Sequence, residues 1–170
     1  MSDTLMRSEP VRAEPFTGEG AAITLAEPMA RFSLRARQAQ ALETVFGFKL
    51  PKRIGETEAG IACLGPDEWL LRAAAGTTLP NAAGLPVAIT EVSERSVCLL
   101  VEGPRAAEVI AAGCPLDLDR FAPGRATRTV FETVEIVLMR TGDERFEIEV
   151  WRSFAPWLKT ALETTAGQLR

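Results

Sequence analysis

Phe146-Glu-Ile-Glu-Val-Trp-Arg-Ser-Phe-Ala-Pro-Trp157 changes its period half way along. Phe146, Ile148 and Val150 alternate with Glu147 and Glu149, which is the two-residue repeat of a strand with one apolar face. Beyond it, Phe154, Trp157, Leu158, Ala161, Leu162 and Thr165 recur at i, i+3, i+4, i+7, i+8 and i+11. That spacing predicts an amphipathic helix with Ser153 as its N-cap and Phe154 and Trp157 on the inward stripe.

Upstream, the turn Thr141-Gly142-Asp143-Glu144 connects this strand to a long extended stretch from Arg128 to Arg140. Before that, Val97–Val101 reads as a buried strand. Gly103-Pro104 opens a helix with Ala106, Val109 and Ile110 inward, and Gly113 ends it. The same plan occurs earlier in the chain. A strand at Arg31–Arg35 leads into a helix from about Arg37 to Phe46, stopped by Gly47. Two strands, Ala59–Leu64 and Trp69–Ala73, then flank the turn Gly65-Pro66-Asp67-Glu68, and Val87–Val92 follows as another strand.

Phe32-Ser-Leu34 overlays Val97-Cys-Leu99, and Ile61 to Trp69 overlays Ile136 to Phe146. Strand-helix-strand-strand twice over predicts an α+β fold of two ferredoxin-like units forming one compact domain. Residues 1–20, polar and carrying Pro10 and Pro15, read as a flexible N-terminal tail. Residues 21–170 read as a single domain with pseudo-repeat halves of about 21–92 and 93–170. In such units a helix layer covers one sheet face, and the other face needs a neighbour.

Composition excludes several kinds of chemistry. The chain has no histidine and no tyrosine. This removes Ser-His-Asp and Cys-His pairs, histidine-liganded metals and the commonest acid-base group at neutral pH. A net charge of −4 argues against a nucleic-acid partner. No apolar run reaches the roughly 18 residues of a membrane span. Met1–Gly20 lacks the apolar core of a signal peptide, so a cytoplasmic location is expected. The three cysteines, Cys63, Cys98 and Cys114, form no CxxC pair. Cys63 and Cys98 lie in apolar strands, and Cys114 follows a helix C-terminus, a setting unlike that of a nucleophilic cysteine.

Three clusters carry a functional reading beside a structural one. Gly103-Pro104-Arg105 could cradle an anion, but one glycine without GxGxxG or GxxxxGK spacing reads as a plain strand-to-helix turn. Glu147 and Glu149 share an outward face and read as solvated or partner-facing, with Arg140 or Arg128 as ion partners. The densest cluster is Trp151, Arg152, Phe154 and Trp157. Phe154 and Trp157 belong to the helix stripe, whereas Trp151 beside Arg152 has the composition of interface anchors. These four residues are the candidate subunit interface. No catalytic, cofactor-binding or metal-ligating residue is assigned.

The order and spacing of Ile89-Thr-Glu-Val-Ser-Glu-Arg-Ser96, Gly103-Pro-Arg-Ala106 and Ala111-Ala-Gly-Cys-Pro-Leu-Asp-Leu118 resemble one family. Arg128-Thr129, Glu135-Ile-Val-Leu138, Phe146–Pro156 and, further upstream, Cys63–Leu71 continue the likeness. The family is the gamma subunit of heterotetrameric sarcosine oxidase, and the likeness spans about Arg31 to Leu162. It implies a shortened aminomethyltransferase-like fold. It also implies a place in a complex that oxidatively demethylates sarcosine to glycine, with hydrogen peroxide and formaldehyde or 5,10-methylenetetrahydrofolate as products.

The resemblance puts the cofactors on the partner subunits. NAD and a tetrahydrofolate module go to alpha, FAD to beta with a shared covalent FMN, and zinc to delta. The gamma chain would hold none of these, would contact alpha most directly, and when isolated would be free to self-associate. Asp119 departs from the family pattern, where histidine is frequent. The other reading is a stand-alone folate-binding or one-carbon-transfer protein of the aminomethyltransferase type. Against it, the chain is about half the length such enzymes need, and the Lys-Gly-Cys motif of the folate-dependent repair proteins is absent.

Overall fold

Every strand long enough to show alternation carries two different faces, and both sheets use both of them. The computed structural model describes residues 10–169; the first nine residues of the expected tail lie outside that range. The elements are β1 (Phe16–Thr17), β2 (Ala22–Leu25), β3 (Met29–Ala36), α1 (Ala39–Phe46), β4 (Thr57–Glu58), β5 (Ile61–Gly65) and β6 (Glu68–Ala74). They continue with β7 (Val87–Glu91), β8 (Ser96–Glu102), α2 (Ala106–Ala111), β9 (Arg125–Phe131), β10 (Val134–Gly142), β11 (Arg145–Trp151) and α3 (Ala155–Gln168). A six-stranded sheet has the order β1-β2-β8-β11-β10-β9, and a five-stranded sheet the order β4-β5-β6-β3-β7. All pairings are antiparallel.

Alternation then builds four layers. The apolar set of the six-stranded sheet, including Leu99, Ile136, Phe146 and Ile148, packs against Val109 and Ile110 of α2 and Leu158 and Leu162 of α3. In the five-stranded sheet, Phe32, Leu34, Ile61 and Trp69 cluster with Leu42 of α1. Burying each large apolar side chain contributes roughly 1.5–3 kcal/mol, so these two clusters are the main sources of stability. The opposite faces meet in the middle, where Ala62, Ala126 and Met139 form a small third cluster. Each unit's open face is therefore covered by the other unit.

The repeat read from sequence is present in the pairing. β5-β6-β3 and β10-β11-β8 run in the same order, each with a helix after its first strand. The halves do not keep all their own strands, however. β2 pairs with β8, with Ile23 opposite Val101, so a strand from the 21–92 segment belongs to the other sheet. The packed region also begins before residue 21: Val11 is buried, and Phe16–Thr17 pairs with Ala22–Ile23. Packing of Val11 and Phe16 against the six-stranded sheet's core and the Lys159 ammonium on the Glu14 carbonyl hold these residues, which their polar composition does not reveal.

Three local expectations are corrected. The extended stretch 128–140 is a hairpin of β9 and β10. Its turn contains no glycine or proline; Glu132 adopts a left-handed φ of 51° and donates its N–H to the Gly113 carbonyl at 2.6 Å. Gly113 is not the helix stop, since Ala112 is the C-cap. A Cβ at Gly113 would lie 2.6 Å from the Phe131 ring, so close packing demands glycine there. In α3 the inward set is Ala155, Leu158, Leu162 and Ala166, and Phe154 takes the N-cap position with no side-chain cap from Ser153. The alanines allow the helix to approach the sheet closely, which turns the large aromatics outward.

Candidate functional site

The β11–α3 junction gathers the aromatic residues through ordinary strand and turn geometry. Trp151 ends β11 opposite Ser96 of β8. The chain then turns, with the Phe154 N–H donating to the Trp151 carbonyl at 2.9 Å, and Pro156 enters the first turn of α3. Trp151 and Phe154 are 44% exposed and Trp157 41%. Phe154 and Trp157 were expected in the core, and the helix phase described above puts them at the surface. The Trp151 and Phe154 rings lie at a tilt with centroids 6.4 Å apart, while Trp157 and Phe131 meet edge to face at 6.3 Å.

Arg152 is half-buried, with its Nη1 3.9 Å from Glu94 Oε2. Its backbone N–H donates to the Arg95 carbonyl at 3.0 Å. The Arg95 guanidinium lies 5.5 Å from the Trp151 ring centroid, within cation–π range. Sequence reasoning did not find Glu94 and Arg95. Only the β8–β11 register brings them beside Trp151, and no local pattern signals it.

Behind this surface lies the polar part of the layer between the sheets. Glu147 and Glu149 do share one face of β11, but that face is not solvated: Glu149 is only 5% exposed. Its Oε2 accepts from Arg31 Nε of β3 at 2.6 Å, and its Oε1, without a hydrogen bond, lies 3.6 Å from Arg72 Nη1. Arg72 donates to Glu147 at 2.6 Å. Arg128 spans both oxygens of Glu68 at 3.0 and 2.7 Å, and this hydrogen-bonded guanidinium holds the Glu68 carboxyl below its ordinary range.

The expected partners Arg140 and Arg128 are therefore replaced by Arg31 and Arg72. Arg140 points to the other face of its sheet, donating to the Leu118 and Phe121 carbonyls above the Phe146 ring. A cleft of about 40 Å³ runs between the sheets from Glu149 toward Trp151. That volume admits a water or two, well short of the roughly 300 Å³ at which small-molecule sites begin.

The remaining candidates take structural roles. Arg105 pairs with Glu108 at 2.8 Å one turn along α2. All three cysteines are buried and free of disulfides. Burial, with the nearby Glu149 charge, pushes the Cys98 thiol pKa far up; burial also raises that of Cys63. Among the described residues, no group of three or more Cys, Asp or Glu side chains is placed to hold a metal ion.

The model of the sarcosine oxidase gamma subunit family matches residues 26–167. The chain belongs to this family. The gamma subunit of sarcosine oxidase from Corynebacterium sp. (strain U-96) is 29% identical over 95% of each chain. A chain of the heterotetrameric sarcosine oxidase from Corynebacterium sp. U-96, solved with pyrrole 2-carboxylate, superposes with a TM-score of 0.78. That match has 25% identity and covers 92% of this chain and 90% of that one. The glycine cleavage system aminomethyltransferase T of Bartonella henselae shares the fold, with a TM-score of 0.62 at 17% identity. This chain covers 45% of that enzyme. The fold of this gamma-family member is thus aminomethyltransferase-like, as the sequence resemblance implied. No helix among the described residues is long and apolar enough to cross a membrane.

Proposed function

We propose that this chain is the gamma subunit of a heterotetrameric sarcosine oxidase and acts there in assembly and stabilisation rather than in chemistry. The observation that carries the reading is the near end-to-end superposition on a chain of that complex. In this reading the oxidative demethylation of sarcosine takes place on partner subunits, which hold FAD, FMN, NAD, tetrahydrofolate and zinc. The alpha subunit is the direct neighbour, and the complex works in the cytoplasm.

The contact surface is Trp151, Arg152, Phe154 and Trp157. Three aromatics above 40% exposure around one junction are costly to leave in water, and a partner would bury them. Arg95 and Glu94 supply a polar rim of the kind that surrounds such anchors.

Copurification of the tagged chain with alpha, beta and delta tests this. The double variant Trp151→Ala/Arg152→Ala is expected to weaken retention of the partners more than it lowers the melting temperature of the isolated chain. Unchanged retention would remove this stretch from the interface. Tetrahydrofolate binding to the isolated chain at micromolar affinity or better would instead favour a folate-binding protein.

A further inference from the structure

The strands of the five-stranded sheet all come from one continuous stretch, residues 29–91, whereas the six-stranded sheet takes residues 16–25 and 96–151. Two connectors therefore join the units, Ala26-Glu27-Pro28 and Val92-Ser93-Glu94-Arg95. They run side by side at one corner. The Ala26 N–H donates to the Cys98 carbonyl at 2.9 Å, the Val92 N–H to the Arg31 carbonyl at 2.8 Å and the Arg31 N–H to the Ser93 hydroxyl at 3.0 Å. Two crossings at one corner make a hinge, whereas crossings at opposite ends would make a clasp.

The layer beside this hinge is loosely filled. Three clefts of about 40, 310 and 180 Å³ each have walls from both units: Glu68 and Glu149 in the first, Gly60 and Met139 in the second, Arg31 and Cys98 in the third. Protein interiors are otherwise close-packed. Across the layer the units are held by the ion pairs Arg31–Glu149, Arg72–Glu147 and Arg128–Glu68. At the rim, the Thr57 hydroxyl donates to the Gly124 carbonyl at 2.7 Å and the Ala126 N–H to the Gly55 carbonyl at 3.0 Å. Water replaces polar contacts at small net cost, whereas uncovering apolar surface is expensive. Separation along this layer uncovers little apolar surface, because the two large cores lie on the helix-covered faces.

We propose that residues 29–91 form a hinged unit that opens along this layer with both cores closed, and that a partner subunit seated on Trp151 holds it shut. The second part rests on the assembly reading above and deepens it. The connector 92–95 is pinned to that surface. The Arg95 carbonyl accepts from the Arg152 N–H at 3.0 Å, and the Arg95 guanidinium lies 5.5 Å from the Trp151 ring centroid. Trp151 ends a strand of the six-stranded sheet. A partner that buries Trp151 together with Arg95 fastens the connector to that sheet, and so binds the closed form more tightly than the open one.

The three cysteines report on three places. Cys98 faces the layer, its Sγ 3.9 Å from Arg72 Nη1, while Cys63 and Cys114 belong to the cores of the five- and six-stranded units. The test is native labelling of the full chain with iodoacetamide at pH 8, read by mass spectrometry, with each cysteine's rate divided by its rate in urea-unfolded protein. All three should react slowly, with Cys98 on the order of ten-fold ahead of Cys63 and Cys114. Arg95→Ala, at an exposed side chain, should speed Cys98 several-fold and leave the other two unchanged. In the complex with alpha, beta and delta, Cys98 should slow on the order of ten-fold.

One common rate for the three cysteines would mean that the chain opens only as a whole, and would overturn the proposal. Cys63 keeping pace with Cys98 would overturn it too, since the five-stranded unit would then be unfolding rather than separating. An unchanged Cys98 rate in a complex that copurifies, or in Arg95→Ala, would overturn the clamp while the assembly reading stands. Failure to copurify would overturn the assembly reading and the clamp together.

Discussion

Glu149 of β11 and Arg31 of β3, 118 residues apart in sequence, form a 2.6 Å ion pair between the two sheets. Both side chains are about 95% buried, and Arg72 approaches the second carboxylate oxygen. This pair links the two sheets at a place where apolar packing is thin, because the apolar cluster between them has only Ala62, Ala126 and Met139 fully buried.

Removing one partner leaves an uncompensated charge in a desolvated place. Glu149→Ala or Arg31→Ala should each destabilise the chain by about 3–5 kcal/mol. The joint replacement Arg31→Met/Glu149→Leu should recover at least half of that loss. Urea unfolding of the isolated chain measures both, and a double variant no better than the singles would mean that the pair acts through more than its charge.

Leu158 and Trp157 are adjacent on α3, but Leu158 is fully buried and Trp157 is 41% exposed. Leu158→Ala should cost about 2–5 kcal/mol, since its side chain is fully buried against the six-stranded sheet. Trp157→Ala should cost less despite the larger side chain, about 0.5–1.5 kcal/mol from the lost edge contact with Phe131. Thermal or urea unfolding of the two variants compares them directly. Equal losses would put the helix in a different rotational phase.

The Glu68–Arg128 pair predicts a pH dependence. Its carboxyl pKa is lowered in the folded chain, chiefly by the Arg128 hydrogen bonds. The unfolded chain therefore binds that proton first. The stabilisation is complete above the unfolded carboxyl value of about 4.3 and is lost as pH falls through the lowered folded value. Glu68→Gln should lower the melting temperature at neutral pH, and the gap from the unaltered chain should close under acid. A gap independent of pH between 7 and 3 would show that the charge on Glu68 contributes nothing.

Cys98 is 1% exposed, and its thiol is held protonated by burial and by the Glu149 charge. Alkylation by iodoacetamide at pH 8 should therefore proceed at Cys98 only as fast as the chain opens. Labelling followed by mass spectrometry should find it protected in native protein and modified after unfolding in urea. Rapid native labelling would place this residue outside the layer between the sheets.

Local pattern makes much of the architecture readable. Alternation at 146–150 marks β11 and its apolar face, and the turn residues at 65–68 and 141–144 mark two hairpins. The repeated strand-helix-strand-strand order matches the pairing of both sheets. The hairpin at Glu132 left no such mark, because its turn is held by the Gly113 carbonyl rather than by turn-forming residues. The rotation of α3 differs from the apolar spacing because close packing on the sheet favours Ala155 and Ala166. Phe154 and Trp157, expected on the inward stripe as well as at the candidate interface, are exposed beside Trp151 once the helix is docked.

A period of two or 3.6 residues requires only neighbours in sequence, and it was enough to establish the α+β class, the repeated unit and the aromatic cluster at the β11–α3 junction. It specifies which side chains share a face, not what covers that face. Whether Glu147 and Glu149 meet water or arginine depends on a second sheet whose arginines lie 75 and 118 positions away. The same holds for β2 joining β8 and for Arg95 resting over Trp151. Burial and ion pairing are properties of two surfaces brought together, so the charged face that looked solvated became the internal joint of the molecule.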